Sequence, residues 1–94
     1  MKKFLVLHYG FKKPTPEQMA RWNGWFESVA DRQLGRGHFP QGRELTDAGT
    51  QELPFGEDSI TGYTLIEAED LDEAEKIAKA CPIVAATRVY EVMG

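Results

Sequence analysis

The stretch from Ser59 to Pro82, SITGYTLIEAEDLDEAEKIAKACP, constrains the fold more than any other part of the chain. Its first part predicts a strand over Ile60–Ala68, because β-branched, aromatic and large apolar residues are concentrated there. Leu65 and Ile66 point to opposite faces of such a strand, and both are apolar. This strand is therefore expected to be covered on both faces rather than to have one face in water.

A helix follows this strand directly. Asp70 is expected to cap it by accepting hydrogen bonds from amides of the first turn, with Glu73 completing a pattern that resembles a capping box. Pro82 ends the helix because it disfavours helical geometry at the residue before it. The apolar positions recur at helical spacing and form a buried stripe: Leu71, Ala74, Ile77, Ala78 and Cys81. Cys81, the only cysteine, is accordingly interpreted as a small core residue rather than a reactive thiol.

The first third of the chain predicts a second strand and a second helix. Met1 to Tyr9 begins with two lysines and continues as an apolar run without polar alternation, which again indicates a strand covered on both faces. Thr15 is a suitable N-cap and Pro16 a suitable first residue for a helix from Thr15 to about Leu34. Its broad apolar face is more typical of a core or a subunit interface than of a ligand cage. That face comprises Met19, Trp22, Trp25, Phe26 and Val29.

The rest of the chain gives weaker signals. Glycines and prolines punctuate the segment from Leu34 to Ser59, where turn residues dominate. A short strand is predicted near Arg43–Thr46 and a brief extended piece near Gln51–Pro54, and these two could pair as an irregular hairpin. A last strand is predicted over Thr87–Met93.

This element order predicts an α+β fold. Two strand–helix–strand crossovers give a ferredoxin-like βαββαβ sandwich with an antiparallel sheet and both helices on one face. With 94 residues, the chain is expected to form one domain, residues 1–94. Because two strands are apolar on both faces, the second face of the sheet needs a cover. A second copy of the chain is the simplest cover, so a homodimer is expected.

Composition excludes several classes of partner. The net charge is −4 and there is no basic patch or tail, which argues against nucleic acid and anionic membranes. No apolar run approaches the length of a membrane span and no signal peptide is recognisable, so the cytoplasm is the default compartment. Two distant histidines without a spaced ligand cluster give no reason to expect a metal. The chain carries no phosphate loop and no nucleophile–base motif, and no cofactor is expected.

Four polar residues in or near apolar strands are candidates for a ligand site. His8 interrupts the first strand and could act as a general acid or base, or as a polar anchor, in a dimer cleft. The alternative is a core histidine that hydrogen-bonds to a neighbouring group, which is the commoner situation. Arg88 would suit an anionic ligand, although a surface ion pair is the alternative. Tyr63 and Tyr90 complete this candidate set.

A second group of polar residues lies in the glycine-rich segment. Arg36 and His38 stand beside glycines and could form a loop that binds an anion. Their spacing matches no phosphate-binding signature, so the pattern by itself is weak.

The chain resembles the YCII-related domain proteins, including the group named for a DGPF motif. The resemblance rests on three segments: KKFLVLHYG at the start, PEQMARWNGWFESVADRQLG at Pro16–Gly35, and GYTLIEAEDLDEAEKIAKACP at Gly62–Pro82. It implies a ferredoxin-like protomer that dimerises into an α+β barrel. A few members of the family are similar to enzymes that act on small ring compounds, with a His and an Asp in the barrel cleft.

That His–Asp pair has no counterpart here. Cys81 stands where related proteins tend to have Asp, Ile83 stands where small members often have His, and the first helix has no His. Leu53-Pro54-Phe55-Gly56 is at best a remnant of the DGPF motif. Three hypotheses therefore stay open. The first is a homodimer that binds a small organic ligand between facing sheets. The second is a lyase or hydrolase of small ring compounds with His8 as base. The third is a non-catalytic regulatory or interaction module.

Overall fold

The computed structural model describes residues 1–94 as six strands and two helices. In chain order the elements are β1 (Lys2–Tyr9), α1 (Pro16–Ser28), β2 (Gln33–His38), β3 (Gln41–Thr46), β4 (Gly49–Pro54), β5 (Ile60–Ala68), α2 (Leu71–Lys79) and β6 (Ala86–Val92). Four strands form an antiparallel sheet in the order β2-β5-β1-β6, and the other two form a separate hairpin. The sheet and helices confirm the predicted α+β, ferredoxin-like arrangement, with the hairpin inserted between β2 and β5.

The helix-facing side of the sheet carries the main core. Phe4 and Val6 of β1 alternate with half-buried neighbours and are completely buried. Ile66 and Ala68 of β5 are buried beside them, and all four pack against α2. The helix begins as predicted, because the Asp70 side chain accepts a hydrogen bond from the amide of Glu73 at 2.8 Å. It presents small residues to this core, Ala74 and Ala78.

The first helix lies further from the sheet than the second. No Cα atom of α1 comes within 8 Å of another helix or strand. Large side chains fill the gap, among them Trp25, which is 3% exposed and packs with Val29 and Cys81. The Trp25 indole donates a hydrogen bond of 2.8 Å to the carbonyl of Ile77, and this bond ties α1 to α2. Two tryptophans on one helix thus act as spacers, and the spacing leaves room for a cavity.

The predicted first helix is too long. It ends at Ser28, and the chain turns through hydrogen bonds from the amides of Arg32 and Gln33 to the carbonyl of Val29. The residues that follow form β2, a strand that the sequence pattern did not reveal. Glycines disfavour strands intrinsically, so pairing with β5 decides its conformation. Gly37 is required there, because a Cβ atom at this position would lie 2.6 Å from the Tyr63 ring.

The β3–β4 hairpin projects from the body of the protein. The weak predictions near Arg43–Thr46 and Gln51–Pro54 are confirmed, and the two strands pair as expected. Every residue of the hairpin is exposed, and no Cα atom of its strands comes within 8 Å of a helix or strand outside the hairpin. The last strand is Ala86–Val92, one residue earlier than the predicted Thr87–Met93.

The opposite side of the sheet has no cover from this chain. The molecule measures 41 × 38 × 18 Å, so it is a flat slab with one layer of helices. Its accessible surface is 6824 Å², against about 5,500 Å² expected for a compact protein of this mass. The uncovered side, called the open face below, is lined mainly by apolar residues at alternating positions: Leu5, Leu7, Tyr63, Leu65 and Tyr90. Neither helix is long and apolar enough to cross a membrane.

Candidate functional site

A cavity of about 290 Å³ lies between α1 and one end of the sheet. It exists because α1 is held away from the strands by its aromatic side chains. Its wall combines aromatic residues with a few polar groups. The aromatic part consists of Phe11, Trp22, Phe26 and Phe55, with Tyr63 at the border, and the polar part includes His8, Lys12, Asn23, Arg36 and His38. We call this cavity the α1 pocket.

His8 reaches the α1 pocket because of its parity in β1. It lies on the same side of the strand as Phe4 and Val6, and therefore on the helix side of the sheet. Its ring packs edge-on against both tryptophans of α1, with ring centroids 5.1 Å from Trp22 and 5.8 Å from Trp25. The strand thus places one imidazole against two indole rings.

The hydrogen bonds of His8 are incomplete. Its Nε2 atom lies 3.0 Å from the hydroxyl oxygen of Thr64, which is fully buried on the neighbouring strand. The Nδ1 atom is buried and has no partner among the protein's atoms. In one tautomer the ring proton is on Nδ1, and the Thr64 hydroxyl donates to the bare Nε2. Only the Nδ1–H donor is then unpaired. In the other tautomer Nε2–H donates to the Thr64 oxygen, and both the hydroxyl proton and Nδ1 are unpaired.

His8 is neutral at pH 7. Burial is the main cause that lowers its pKa from 6.5 to about 4, and the charge of nearby His38 lowers it further. A general base is most effective when its pKa lies near the working pH. His8 is therefore a weak base, and its environment suits hydrogen bonding to a ligand better than proton abstraction.

The charged groups around the α1 pocket are all cationic. Lys12 and Arg36 border it, and no Asp or Glu does, although fifteen residues of the chain are acidic. The Arg36 guanidinium lies 4.3 Å above the centre of the Phe26 ring. None of the ion pairs in the protein involves Arg36 or Lys12.

The structure separates the four residues that the sequence suggested as one site. His8 lies on the helix side of the sheet, whereas Arg88 and Tyr90 lie on the open face. Tyr63 borders the α1 pocket, but its ring stacks on Phe39 at 5.5 Å and lies beside Gly37. The cross-strand register places Tyr63, Leu7 and Arg88 in one row across the sheet. The grouping of His8 with Arg88 and Tyr90 is therefore not found in this protomer.

Sequence reasoning missed most of the pocket wall. It assigned Trp22 and Phe26 to a core or a subunit interface, and both are only half-buried. Phe55 was noted only as part of a motif remnant, and it packs against Phe11 at 4.6 Å on the pocket wall. One sequence feature could have indicated this wall: the chain has more aromatic side chains than two small helices and a thin sheet can bury. Cys81, by contrast, is buried as predicted.

No group of three or more His, Cys, Asp or Glu side chains is placed to hold a metal ion.

Comparison with known proteins places the chain in a family. A model of the YCII-related domain matches residues 17–93. The chain belongs to the YCII-related domain family. This confirms the resemblance seen in the sequence, and the match covers both helices and all strands after the first. No curated protein matches the chain.

A solved structure shows the same fold. It is 5-chloro-2-hydroxyhydroquinone dehydrochlorinase (TftG) from Burkholderia phenoliruptrix AC1100 in complex with 2,5-dihydroxybenzoquinone. The TM-score is 0.58 at 20% sequence identity, and the match covers 97% of this chain and 93% of that one. At this identity the likeness concerns the fold.

Proposed function

We propose that this YCII-related protein binds a small organic ligand in the α1 pocket and acts as a homodimer. The observation that carries the proposal is the cavity of about 290 Å³ with an aromatic wall and one neutral histidine. Ligand pockets are concave and mostly apolar, with a few polar groups that fix orientation. A cavity with this lining favours ligand binding over a purely structural scaffold.

The proposed site differs from the cleft between facing sheets that the sequence suggested. His8 is on its wall, whereas Arg88 and Tyr90 face the opposite way. We keep those two residues, with the ring of Tyr63, as predicted contacts across the dimer interface. The Arg88 guanidinium already lies 4.8 Å from the centre of the Tyr9 ring, so this part of the open face is partly ordered before a partner arrives.

An NMR titration with 2-naphthol, a small planar probe, tests the pocket. We expect ¹H–¹⁵N shifts to concentrate at amides around the cavity, such as those of Gly10, Thr61 and Gly62. The His8→Ala variant should bind the probe more weakly, while Arg88→Ala, altered on the open face, should bind it like the wild type. Equal binding by wild type and His8→Ala, or shifts confined to the open face, would contradict the pocket assignment.

The open face supports the homodimer. Its leucines and Tyr63 are half-buried and Tyr90 is exposed, and together they form an apolar surface of the kind that marks protein–protein contacts. Sedimentation velocity provides the test. Leu65→Glu places a charge at the centre of the open face and should convert a dimer to a monomer. Leu45→Glu is the matched control, because Leu45 is 76% exposed on the hairpin and away from the sheet. A monomeric wild type would refute the homodimer.

A second candidate function is a lyase acting on a small ring compound. TftG, whose fold this chain shares, is a dehydrochlorinase bound to a benzoquinone, and His8 is a residue here that could accept a proton from a ring substrate. Because the His8 pKa is about 4, such activity should be constant from pH 7 down to about 5 and fall only below that. Chloride release from a chlorinated hydroquinone, measured for wild type and His8→Gln, tests this candidate. Equal rates in both proteins would rule out His8 as the base.

A further inference from the structure

We propose that the ligand of the α1 pocket is a small planar ring compound with one negatively charged group, and that Arg36 is the residue that selects this charge. The inference rests on the proposed function, because it names the class of ligand for the same pocket. Two observations support it: the charged residues on the cavity wall are cationic, and the Arg36 guanidinium lies over an aromatic ring.

Arg36 is positioned by β2, the strand that the sequence pattern did not predict. It pairs in register with Thr64 of β5, the residue that hydrogen-bonds to His8. Its guanidinium carbon lies 4.3 Å from the centre of the Phe26 ring, a contact that restrains the group, and no side chain of the protein forms an ion pair with it. Since no carboxylate of the protein pairs with it, a ligand anion would meet an oriented donor without displacing an existing ion pair.

A smaller cavity extends the cationic surroundings. It has a volume of about 160 Å³ and shares Lys12, Pro14, Trp22 and Val84 with the α1 pocket. Its other polar wall residues are Gln18 and Arg21, and it also contains no acid. Two adjoining cavities without a carboxylate, in a chain with net charge −4, concentrate positive potential at one place. Low-dielectric walls focus such a field and favour anionic ligands over neutral ones.

The aromatic residues define the rest of the ligand. Trp22 and Phe26 are nearly parallel, at 26° and 5.8 Å between ring centroids, on the side of the cavity formed by α1. Phe11 and Phe55 pack together on the loop side. These surfaces suit a flat ring, and the cations suit a carboxylate or a similar single anion. An aromatic carboxylate is the simplest compound that satisfies both.

The test compares two probes of nearly identical shape, 2-naphthoate and the neutral 2-naphthamide. Dissociation constants are measured by ¹H–¹⁵N titration in low-salt buffer at pH 7. The wild type should prefer naphthoate by about tenfold, as one charge-assisted contact would give. This preference should shrink as salt is added. Arg36→Met, which keeps an apolar stem over Phe26, should lose the preference because naphthoate binding weakens much more than naphthamide binding. Arg43→Met is the control, because Arg43 pairs with Glu52 on the hairpin at 3.0 Å.

The other possible results distinguish failure of the charge inference from failure of the proposed ligand pocket. Equal affinities for the two probes in the wild type would overturn the charge inference and leave the ligand pocket standing. The same conclusion follows if Arg36→Met weakens both probes alike. If neither probe perturbs any amide near the cavity, the proposed function and the charge inference both fall.

Discussion

The burial of His8 should make the protein less stable when the pH falls from 7 to 5. Its pKa is 6.5 in the unfolded chain and about 4 in the folded protein. Between these values the unfolded state binds a proton that the folded state does not. Stability contributed by the neutral, buried imidazole is therefore fully present above about pH 6.5 and is lost as the pH falls towards 4.

The size of the effect follows from the same two values. A difference of one pKa unit corresponds to about 1.4 kcal/mol, so the complete loss at low pH is roughly 3 kcal/mol. Integrating the linkage relation only from pH 7 to 5 gives about 2 kcal/mol. This is a large share of the stability of a small domain, which is typically about 5–15 kcal/mol. Comparison with a variant that lacks the imidazole isolates the contribution of His8 in this window.

Urea unfolding followed by tryptophan fluorescence measures the effect. Protein concentration is held fixed, because self-association makes the apparent free energy of unfolding depend on concentration. Trp25, buried beside His8, is a suitable reporter. The free energy of unfolding should fall by about 2 kcal/mol more in the wild type than in His8→Gln between pH 7 and 5. His38→Gln removes only the secondary cause of the low His8 pKa and should reduce the slope slightly.

Parallel loss of stability in the wild type and in His8→Gln would refute this reasoning. It would mean that His8 is protonated in the folded protein, so that the imidazole is more hydrated than its packing against two indoles indicates. An NMR titration of the His8 ring would then show a midpoint near 6.5 instead of about 4.

Three further substitutions test how the elements are held. Asp70→Ala removes the cap of α2 and should cost about 1 kcal/mol of unfolding free energy, whereas Asp70→Ser should restore most of it. Trp25→Phe removes the 2.8 Å hydrogen bond from the indole to the carbonyl of Ile77, which still accepts a 3.3 Å bond from the amide of Ala80. We therefore expect a loss of about 1 kcal/mol by urea unfolding. Gly10→Ala should lower the melting temperature, because Gly10 has a φ of +91° and a Cβ atom there would lie 2.8 Å from the Cβ atom of Ala85. An unchanged melting temperature would show that this turn can relax.

Much of the fold could be predicted from local patterns. The strand Ile60–Ala68 and the cap at Asp70 were predicted at the residues where they occur. A dense β-branched and aromatic run, followed by a capping residue and a helical apolar stripe, leaves few alternatives. The hairpin pairing was also predicted, although its strands are longer than expected.

The end of α1 and the whole of β2 could not be predicted in this way. The residues after Ser28 continue to look helical, and Gln33–His38 contains two glycines that disfavour a strand. Its conformation depends on hydrogen bonds to β5, a segment distant in sequence. Arg36 acquires its place on the pocket wall only through that pairing.

The sequence by itself determined the fold class, the strong strand, both helix starts and the family, because these depend on spacing within short windows. Tertiary structure decided which side of the sheet carries each polar residue. Side chains along a strand alternate between the two faces of the sheet, so His8 and Tyr9 exchange faces if the strand slips by one position. The α1 pocket likewise depends on packing: it exists because indole rings hold a helix away from a sheet, and no local pattern in the chain encodes that distance.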